Sequence, residues 1–337
     1  MTLIEIAGVT SKTEAEIPVQ VSRITRKETA AGKPYFAVTL SDATHSATIS
    51  AWSDTQAFSE LENNLGGGFY FVKAGFQKND YGLNASGTHL RRMNSTEQAA
   101  FLAGGEDQRK VMDADWNEIY SAAQALEVPT LKAVVLAILD DPKNQERYVR
   151  AAAALKNHHN RRGGLLSHTA SMLRVGKAIA GNYADVCPSL LYAGIILHDF
   201  GKIVENDTED GFSAIPNATG ELIGHISIAA GIVGRVWREC AAKQPDLFKG
   251  QNFVCEHLLH LILSHHGTKE FGSPVTPRTP EAFLLHHIDT LDAHMEMVRA
   301  AYATVTPNPQ GLVDAPFPLK TSLVVPLATR LAGLETR

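Results

Sequence analysis

At 337 residues the chain is too long for one typical core and suits two domains, domains usually running to about 100–200 residues. Hydrophobic residues make up 44% and charged residues 20%, ordinary proportions for a folded globular chain, which excludes wholesale disorder. Lys and Arg number 31 against 36 Asp and Glu, a net charge of −5, so any nucleic-acid binding must rest on a local patch, on stacking or on metal ions.

Cys187, Cys240 and Cys255 lie far apart and form no C-x-x-C pair, which argues against a disulfide framework or a zinc ribbon. They read as reduced core residues of a cytoplasmic protein. The longest apolar runs, such as 190–197, fall far short of the roughly 20 residues that span a bilayer. No basic-then-apolar leader opens the sequence, so no membrane partner is expected.

The first hundred residues read as β structure. Residues 19–24 alternate; 34–40 put Phe36, Val38 and Leu40 on one face; a turn at 42–45 leads into 47–52. A loop at Gly66, Gly67 and Gly68 precedes 69–74, and a last segment runs over 83–93. Five short strands with polar turns fit a sandwich or a small barrel, and strand count alone does not choose between them. Tyr35 and Trp52 fall opposite the apolar faces of their strands. There they either stack on nucleic-acid bases, worth roughly 1–3 kcal/mol each, or pack against linker helices or a partner subunit. Arg23, Arg26 and Lys27, with Arg91 and Arg92, are candidate phosphate contacts against a default of surface charge.

From Thr96 to about Asn157 the period becomes helical. Trp116, Ile119 and Tyr120 stand three and four apart, and Leu131, Val135 and Leu139 follow at i, i+4, i+8. Pro129 suits a first helical turn, and Pro142 lies just past that helix. From Gly164 to about Ala303 nearly everything reads as helix with short loops, and the last thirty residues are proline-rich and irregular.

Twelve of the fourteen histidines fall between His158 and His294. His168, the pair His198-Asp199, His225, the pair His265-His266, and Asp289 each sit in or at the end of an apolar helical stretch. Buried imidazoles and carboxylates are costly unless paired or bound to metal. One such residue alone reads as an ordinary packed histidine; the set offers mixed nitrogen and oxygen donors suited to Mn, Fe, Co, Ni or Zn rather than Ca. Asp199, adjoining a histidine of the set, is the natural carboxylate to link two ions.

The order His, His-Asp, His, His, Asp resembles the HD-domain phosphohydrolase superfamily. The local sequences go further. His158-His159 with 163–169 (Gly-Gly-Leu-Leu-Ser-His-Thr), 191–202 (Leu-Tyr-Ala-Gly-Ile-Ile-Leu-His-Asp-Phe-Gly-Lys), 224–228, Ser264-His265-His266-Gly267 with Glu270 and 272–274, and Ile288-Asp289 with Asp292-Ala293 resemble the YhaM-type 3′→5′ exoribonucleases. That family joins an N-terminal OB fold to an HD domain. The resemblance therefore implies a multidomain α and β chain: an OB-fold β-barrel over 1–95, a helical connector over 96–150, an all-α HD domain over 151–305 and a tail over 306–337.

The resemblance also implies an enzyme, a metal-dependent phosphodiesterase. Its metal ligands would be His168, His198, Asp199, His225, His265 and Asp289, holding two divalent ions, Mn²⁺ first, with Fe, Co, Ni, Zn or Mg as alternatives. His266 is either a further ligand or a substrate contact. Lys202 matches the superfamily lysine that faces phosphate, so the catalytic pair is Asp199 and Lys202. His158 and His159 line the active-site mouth or cap a helix; Arg162 is a further candidate substrate contact, alongside Tyr35 and Trp52. The implied substrate is single-stranded RNA, with single-stranded DNA as a second candidate, cut from the 3′ end to nucleoside 5′-monophosphates; a homo-oligomer is a candidate assembly. Arg161-Arg162 departs from the aromatic residue expected before Gly163, which bears on substrate preference. The lack of a Gly-Tyr-Pro signature after His266 argues against the cyclic-dinucleotide branch. Three other readings remain: an HD phosphohydrolase of a small nucleotide, a non-catalytic nucleic-acid-binding protein, and a di-iron oxygenase.

Overall fold

The computed structural model describes residues 1–43, 45–63, 67–79, 82–154, 162–207, 215–305, 307–314, 319 and 321–329. The chain divides into two compact units, one from residues 1–104 and 294 onward, the other from 105–210 and 214–293.

In the first unit a short helix α1 (Leu3–Ala7) precedes β1 (Thr13–Glu28), β2 (Pro34–Ser41), β3 (Ser46–Trp52), helix α2 (Gln56–Asn63), β4 (Gly68–Asn79) and β5 (Gly82–Arg92). All pairings are antiparallel, in the order β3-β2-β1-β4-β5. The long β1 serves two partners. Its first half pairs with β4, from Thr13↔Phe76 to Val21↔Gly68, and its second half with β2, from Gln20↔Ser41 to Glu28↔Pro34. The ladder to β2 slips between Val21 and Arg23, a bulge that bends and twists the strand so that it can hand over from one neighbour to the other. The outer strands β3 and β5 come side by side, so the sheet curls round toward closure. Five antiparallel strands in this order, with a helix between the third and fourth, are an OB-fold barrel.

Alternation fills the interior. Phe36, Val38, Leu40, Ile49, Val72 and Phe76 are buried, joined by Leu3 and Ile6 from α1 and Phe58 and Leu61 from α2. Phe58 stacks on Phe36 at 4.7 Å between centroids. Each large apolar side chain removed from water in this way contributes about 1.5–3 kcal/mol.

After β5 comes α3 (Ser95–Ala103), whose N-cap Asn94 and Glu97 bond reciprocally. The second unit opens with α4 (Glu106–Gln124), α5 (Pro129–Leu139) and α6 (Pro142–Arg150). Pro129 and Pro142 start the last two, where a missing N–H costs nothing. The stretch 96–150, expected as a connector, is thus apportioned: α3 goes with the barrel unit, and Ile119, Leu131, Val135, Leu139 and Tyr148 enter the core of the helical unit. The rest of that unit comprises α7 (Gly164–Ala180), α8 (Pro188–Leu197), α9 (Lys202–Glu205), α10 (Ala218–Ile223), α11 (His225–Lys243), α12 (Pro245–Phe248), α13 (Asn252–Ser264) and the first part of α14 (Pro280–Thr304).

α8 is the axis of this bundle. From Ser189 to Leu197 all but Tyr192 are buried, as expected of a helix apolar all round. Its neighbours approach closely because of two glycines. A Cβ on Gly194 would strike the Leu261 side chain of α13, and one on Gly176 of α7 would lie 2.7 Å from Ile195 Cδ1. The expected irregular tail contains a small hairpin, Leu312–Asp314 with Ser322–Val324. Tyr302 Oη donates to the Val324 carbonyl at 2.8 Å. No helix among the described residues is long and apolar enough to cross a membrane.

Candidate metal centre

The buried axis α8 ends in His198, which continues the helical backbone, and Asp199 follows. Four other elements bring their side chains to that point. α7 supplies His168 after a left-handed turn at Gly163, φ 74°, a conformation that favours glycine. α11 begins at His225. His265 caps the end of α13 and His266 follows it. Asp289 and Asp292 stand three apart on α14.

Asp199 is the hub. Its Oδ1 lies 3.3 Å from His225 Nε2 and 3.6 Å from His265 Nε2. Its Oδ2 lies 3.4 Å from His198 Nε2, 4.0 Å from His168 Nε2 and 2.6 Å from Lys202 Nζ. His168 Nε2 also faces Asp289 Oδ1 at 3.3 Å. The two carboxylate oxygens therefore look toward two different histidine pairs. Donor atoms in three groups each fall within 4.8 Å of one another: His225, His265 and His266; His168, His198 and Asp199; His198, His265 and Asp289.

The outward nitrogens of these rings are all engaged. His198 Nδ1 donates to the Ile195 carbonyl at 2.8 Å, His265 Nδ1 to the Ile262 carbonyl at 2.7 Å and His266 Nδ1 to the Phe271 carbonyl at 2.7 Å. His168 Nδ1 meets Asp292 Oδ2 at 2.7 Å, and His225 Nδ1 meets Glu205 Oε1 at 3.1 Å. A ring whose Nδ1 carries the proton presents a lone pair at Nε2. Among the described residues His198 Nε2, His225 Nε2, His265 Nε2 and Asp199 Oδ1 are buried with no hydrogen-bond partner. Orphaned buried polar atoms are costly, and four of them converging with their rings held from behind fit a divalent cation. Nitrogen and carboxylate donors together suit Mn, Fe, Co, Ni or Zn.

The electrostatics follow from these contacts. Burial works to raise the Asp199 pKa, but the Lys202 ammonium and His198 outweigh it and hold the carboxyl well below its usual range. Burial opposes charge on His168 too, yet Asp289 and Asp292 raise its pKa to about 9. Burial pushes His265 down, and it pushes His266 down to about 4 with the help of His265. The His266 ring is consequently neutral near pH 7, with its Nε2 lone pair available.

The structure brings together His168, His198, Asp199, His225, His265 and Asp289, with His266 beside them: its ring centroid lies 4.3 Å from that of His265 and 5.3 Å from that of His225. Lys202, expected to face phosphate, donates to Asp199 Oδ2 and to the Ala153 carbonyl. Arg162 sits just before α7, and burial and Arg150 lower its pKa to about 10. His158 and His159 lie outside the described residues. Tyr35 and Trp52 belong to the barrel unit, where they pair across β2 and β3 with rings 4.9 Å apart and Lys33 Nζ 5.8 Å from the Trp52 ring.

Two supporting residues escaped the sequence reading. His286 Nδ1 donates to the His265 carbonyl at 2.8 Å, and its ring packs on Gly267. Glu205 accepts from both the backbone N–H and the ring of His225, at 3.1 Å each. It stands three positions after Lys202 in the run Lys-Ile-Val-Glu, and nothing in that run marks it. Glu205→Gln is expected to weaken divalent-metal binding about 10–100-fold, the usual effect of losing such a partner. Calorimetric titration with Mn²⁺ measures this, and an unchanged isotherm would show that Glu205 does not orient His225.

Residues 165–294 match the HD domain family, and this is the class that the fold and the histidine–aspartate cluster define: the helical unit carries an HD domain. Over 166 residues, 49% of each chain, the sequence is 42% identical to the 3′-5′ exoribonuclease YhaM of Shouchella clausii (strain KSM-K16). Over 184 residues, 55% of this chain and 53% of the relative, it is 38% identical to the 3′-5′ exoribonuclease YhaM of Geobacillus sp. (strain WCH70). The chain spans about half the length of these curated relatives in the matched regions. No solved structure matches it.

Proposed function

We propose that this chain is a metal-dependent 3′→5′ exoribonuclease that hydrolyses single-stranded RNA to nucleoside 5′-monophosphates, with single-stranded DNA as a second substrate. The observation that carries the reading is Asp199, whose two oxygens each face their own set of inward imidazole nitrogens. That is the arrangement a carboxylate needs to link two cations. His168, His198 and Asp289 would hold one, and His225 and His265, with His266, the other. Mn²⁺ is the first candidate among the ions that this nitrogen and carboxylate donor set suits. When bound, the ions supply the positive charge that acidifies water and offsets charge on a phosphoryl group.

The chain's own residues do the rest. Ile195, Ile262, Glu205 and Asp292 hold the imidazoles by their outer nitrogens, so that little reorganisation is needed at the reacting centre. Lys202 holds Asp199 ionised, and its ammonium would offset charge on a phosphate bound beside it. In the reaction, water adds to the terminal phosphorus, the bond from phosphorus to the 3′ oxygen of the preceding nucleotide breaks, and that oxygen leaves protonated. The Tyr35–Trp52 pair on the barrel, with Lys33 alongside, gives a strand a stacking platform. The three free cysteines fit a reducing, cytoplasmic setting.

The test uses 5′-labelled single-stranded RNA with Mn²⁺ and with chelator. A ladder shortening from the 3′ end, with mononucleotide 5′-phosphates as product and no cleavage under chelation, is expected. Release of oligonucleotide fragments would overturn the exonuclease mode; equal cleavage under chelation would overturn the metal mechanism.

A further inference from the structure

We propose that Phe271 is the platform on which the base of the terminal nucleotide stacks, which rests on the exonuclease reading and assigns its nucleotide subsite. Phe271 is 73% exposed, and leaving such a ring in water forgoes about 1.5–3 kcal/mol of burial. Its place is nevertheless fixed. It ends a single 3₁₀ turn, Lys269–Phe271, in the short loop after His265-His266. Phe271 N–H donates to the Thr268 carbonyl at 3.2 Å, Gly272 N–H to Lys269 at 3.0 Å, Ser273 N–H to Thr268 at 3.2 Å and Gly267 N–H to Ser264 at 2.8 Å. Gly272 supplies the left-handed residue, φ 92°, that lets the loop turn back.

This loop is tied to the metal centre at one atom. The Phe271 carbonyl accepts from His266 Nδ1 at 2.7 Å, so the phenyl ring lies within about 10 Å of the His266 ring on covalent dimensions alone. That is the span from a scissile phosphate to its own base. Leu222, 85% exposed, and Ile223, 54% exposed, end α10 immediately before Gly224-His225. An exposed aromatic ring on a hydrogen-bonded turn, tied to a centre read as cutting phosphodiesters, matches the π-face of a base, which every nucleotide presents, and so supports sequence-tolerant trimming. Lys269, two residues earlier in the same turn, adds a cation for the adjoining backbone.

The experiment measures equilibrium binding of adenosine 5′-monophosphate and of ribose 5-phosphate, which lacks the base, to the Mn²⁺-loaded protein, and initial rates on RNA ending in a normal or an abasic 3′ nucleotide. Phe271→Ala is expected to weaken adenosine 5′-monophosphate about tenfold and leave ribose 5-phosphate unchanged. It should slow normal RNA but not abasic RNA, and Phe271→Trp should restore both affinity and rate. Phe253→Ala, a change at another exposed aromatic on α13, should alter nothing. Equal affinity of Phe271→Ala and the unaltered protein for adenosine 5′-monophosphate would overturn the proposal. So would equal weakening of both ligands, which would mark Phe271 as a support for His266 only. If the unaltered protein distinguishes the two ligands through Phe271 yet leaves RNA intact, the exonuclease reading fails while the base platform stands.

Discussion

Asp199→Asn is expected to lower kcat/KM on single-stranded RNA by at least about a thousandfold, equivalent to about 4 kcal/mol of transition-state stabilisation, and to lower the Mn²⁺ stoichiometry. Asparagine keeps the shape of the side chain but makes one of its two faces a donor. Whichever way the amide turns, an NH₂ group meets either Lys202 and His198 or His225 and His265, where an acceptor now stands. No orientation leaves an oxygen toward both histidine pairs, which two cations would require. The substitution also leaves the Lys202 ammonium, only 11% exposed, without its carboxylate, so a loss of stability accompanies the loss of activity and is separated from it by circular dichroism at the assay temperature. Glu239→Gln, which removes only an exposed i,i+4 pair with Arg235, is the matched change of charge and should do nothing measurable. An Asp199→Asn protein within tenfold of the unaltered rate would dismiss Asp199 as the residue on which the site turns.

The histidines of this centre are legible in the sequence because each interrupts an apolar helical run, where an imidazole needs a reason to be. His168 among Leu165, Leu166 and Ala170, and His198 at the end of 190–197, are of that kind. Their support is less legible, since it is a matter of three-dimensional approach. Asp292 stands three residues from Asp289 and so shares its helix face, which the 3.6-residue period shows directly. Glu205 and His286 reach their partners across loops that no periodicity describes, and Phe271 sits in a turn between residues that carry the family resemblance, with no pattern of its own to mark it. In the barrel, the apolar alternation of Phe36, Val38 and Leu40 marks a strand plainly. The first residues of β1, Thr13 to Glu16, are exposed or half-exposed and carry two glutamates, so their membership is set by pairing with β4 rather than by any hydrophobic signal. Closure into a barrel follows from the slip between Val21 and Arg23, a register property that strand counting misses. The helices of 106–150 read as a connector because sequence gives their apolar faces but not what covers them.

Gly201→Ala should cost about 3 kcal/mol through overpacking that cannot relax, lower the unfolding midpoint by about 6–12 °C, and weaken Mn²⁺ binding in the same protein. The backbone at Gly201, φ −63°, is ordinary, so torsional strain is not the reason. The reason is contact: a Cβ there would run into the His225 carbonyl and come within 2.9 Å of Ala229 N. These are backbone atoms of α11, which cannot swing aside as a flexible side chain would. Two residues before Gly201 stands Asp199, and the carbonyl it abuts belongs to His225 itself. The bare Cα of Gly201 therefore sets how near α11 comes to the turn after α8, and with it the 3.3 Å between His225 Nε2 and Asp199 Oδ1. Relief of the clash must move α11 outward and part those two atoms. Gly231→Ala provides the contrast: it lies on the same helix, exposed, with nothing within 4 Å of a new Cβ, and should stabilise the protein by about 0.5–1 kcal/mol with Mn²⁺ affinity unchanged. Thermal unfolding and Mn²⁺ titration of both variants decide the matter. A Gly201→Ala protein that keeps its midpoint and its affinity would show that α11 is held at its distance by something other than this backbone contact.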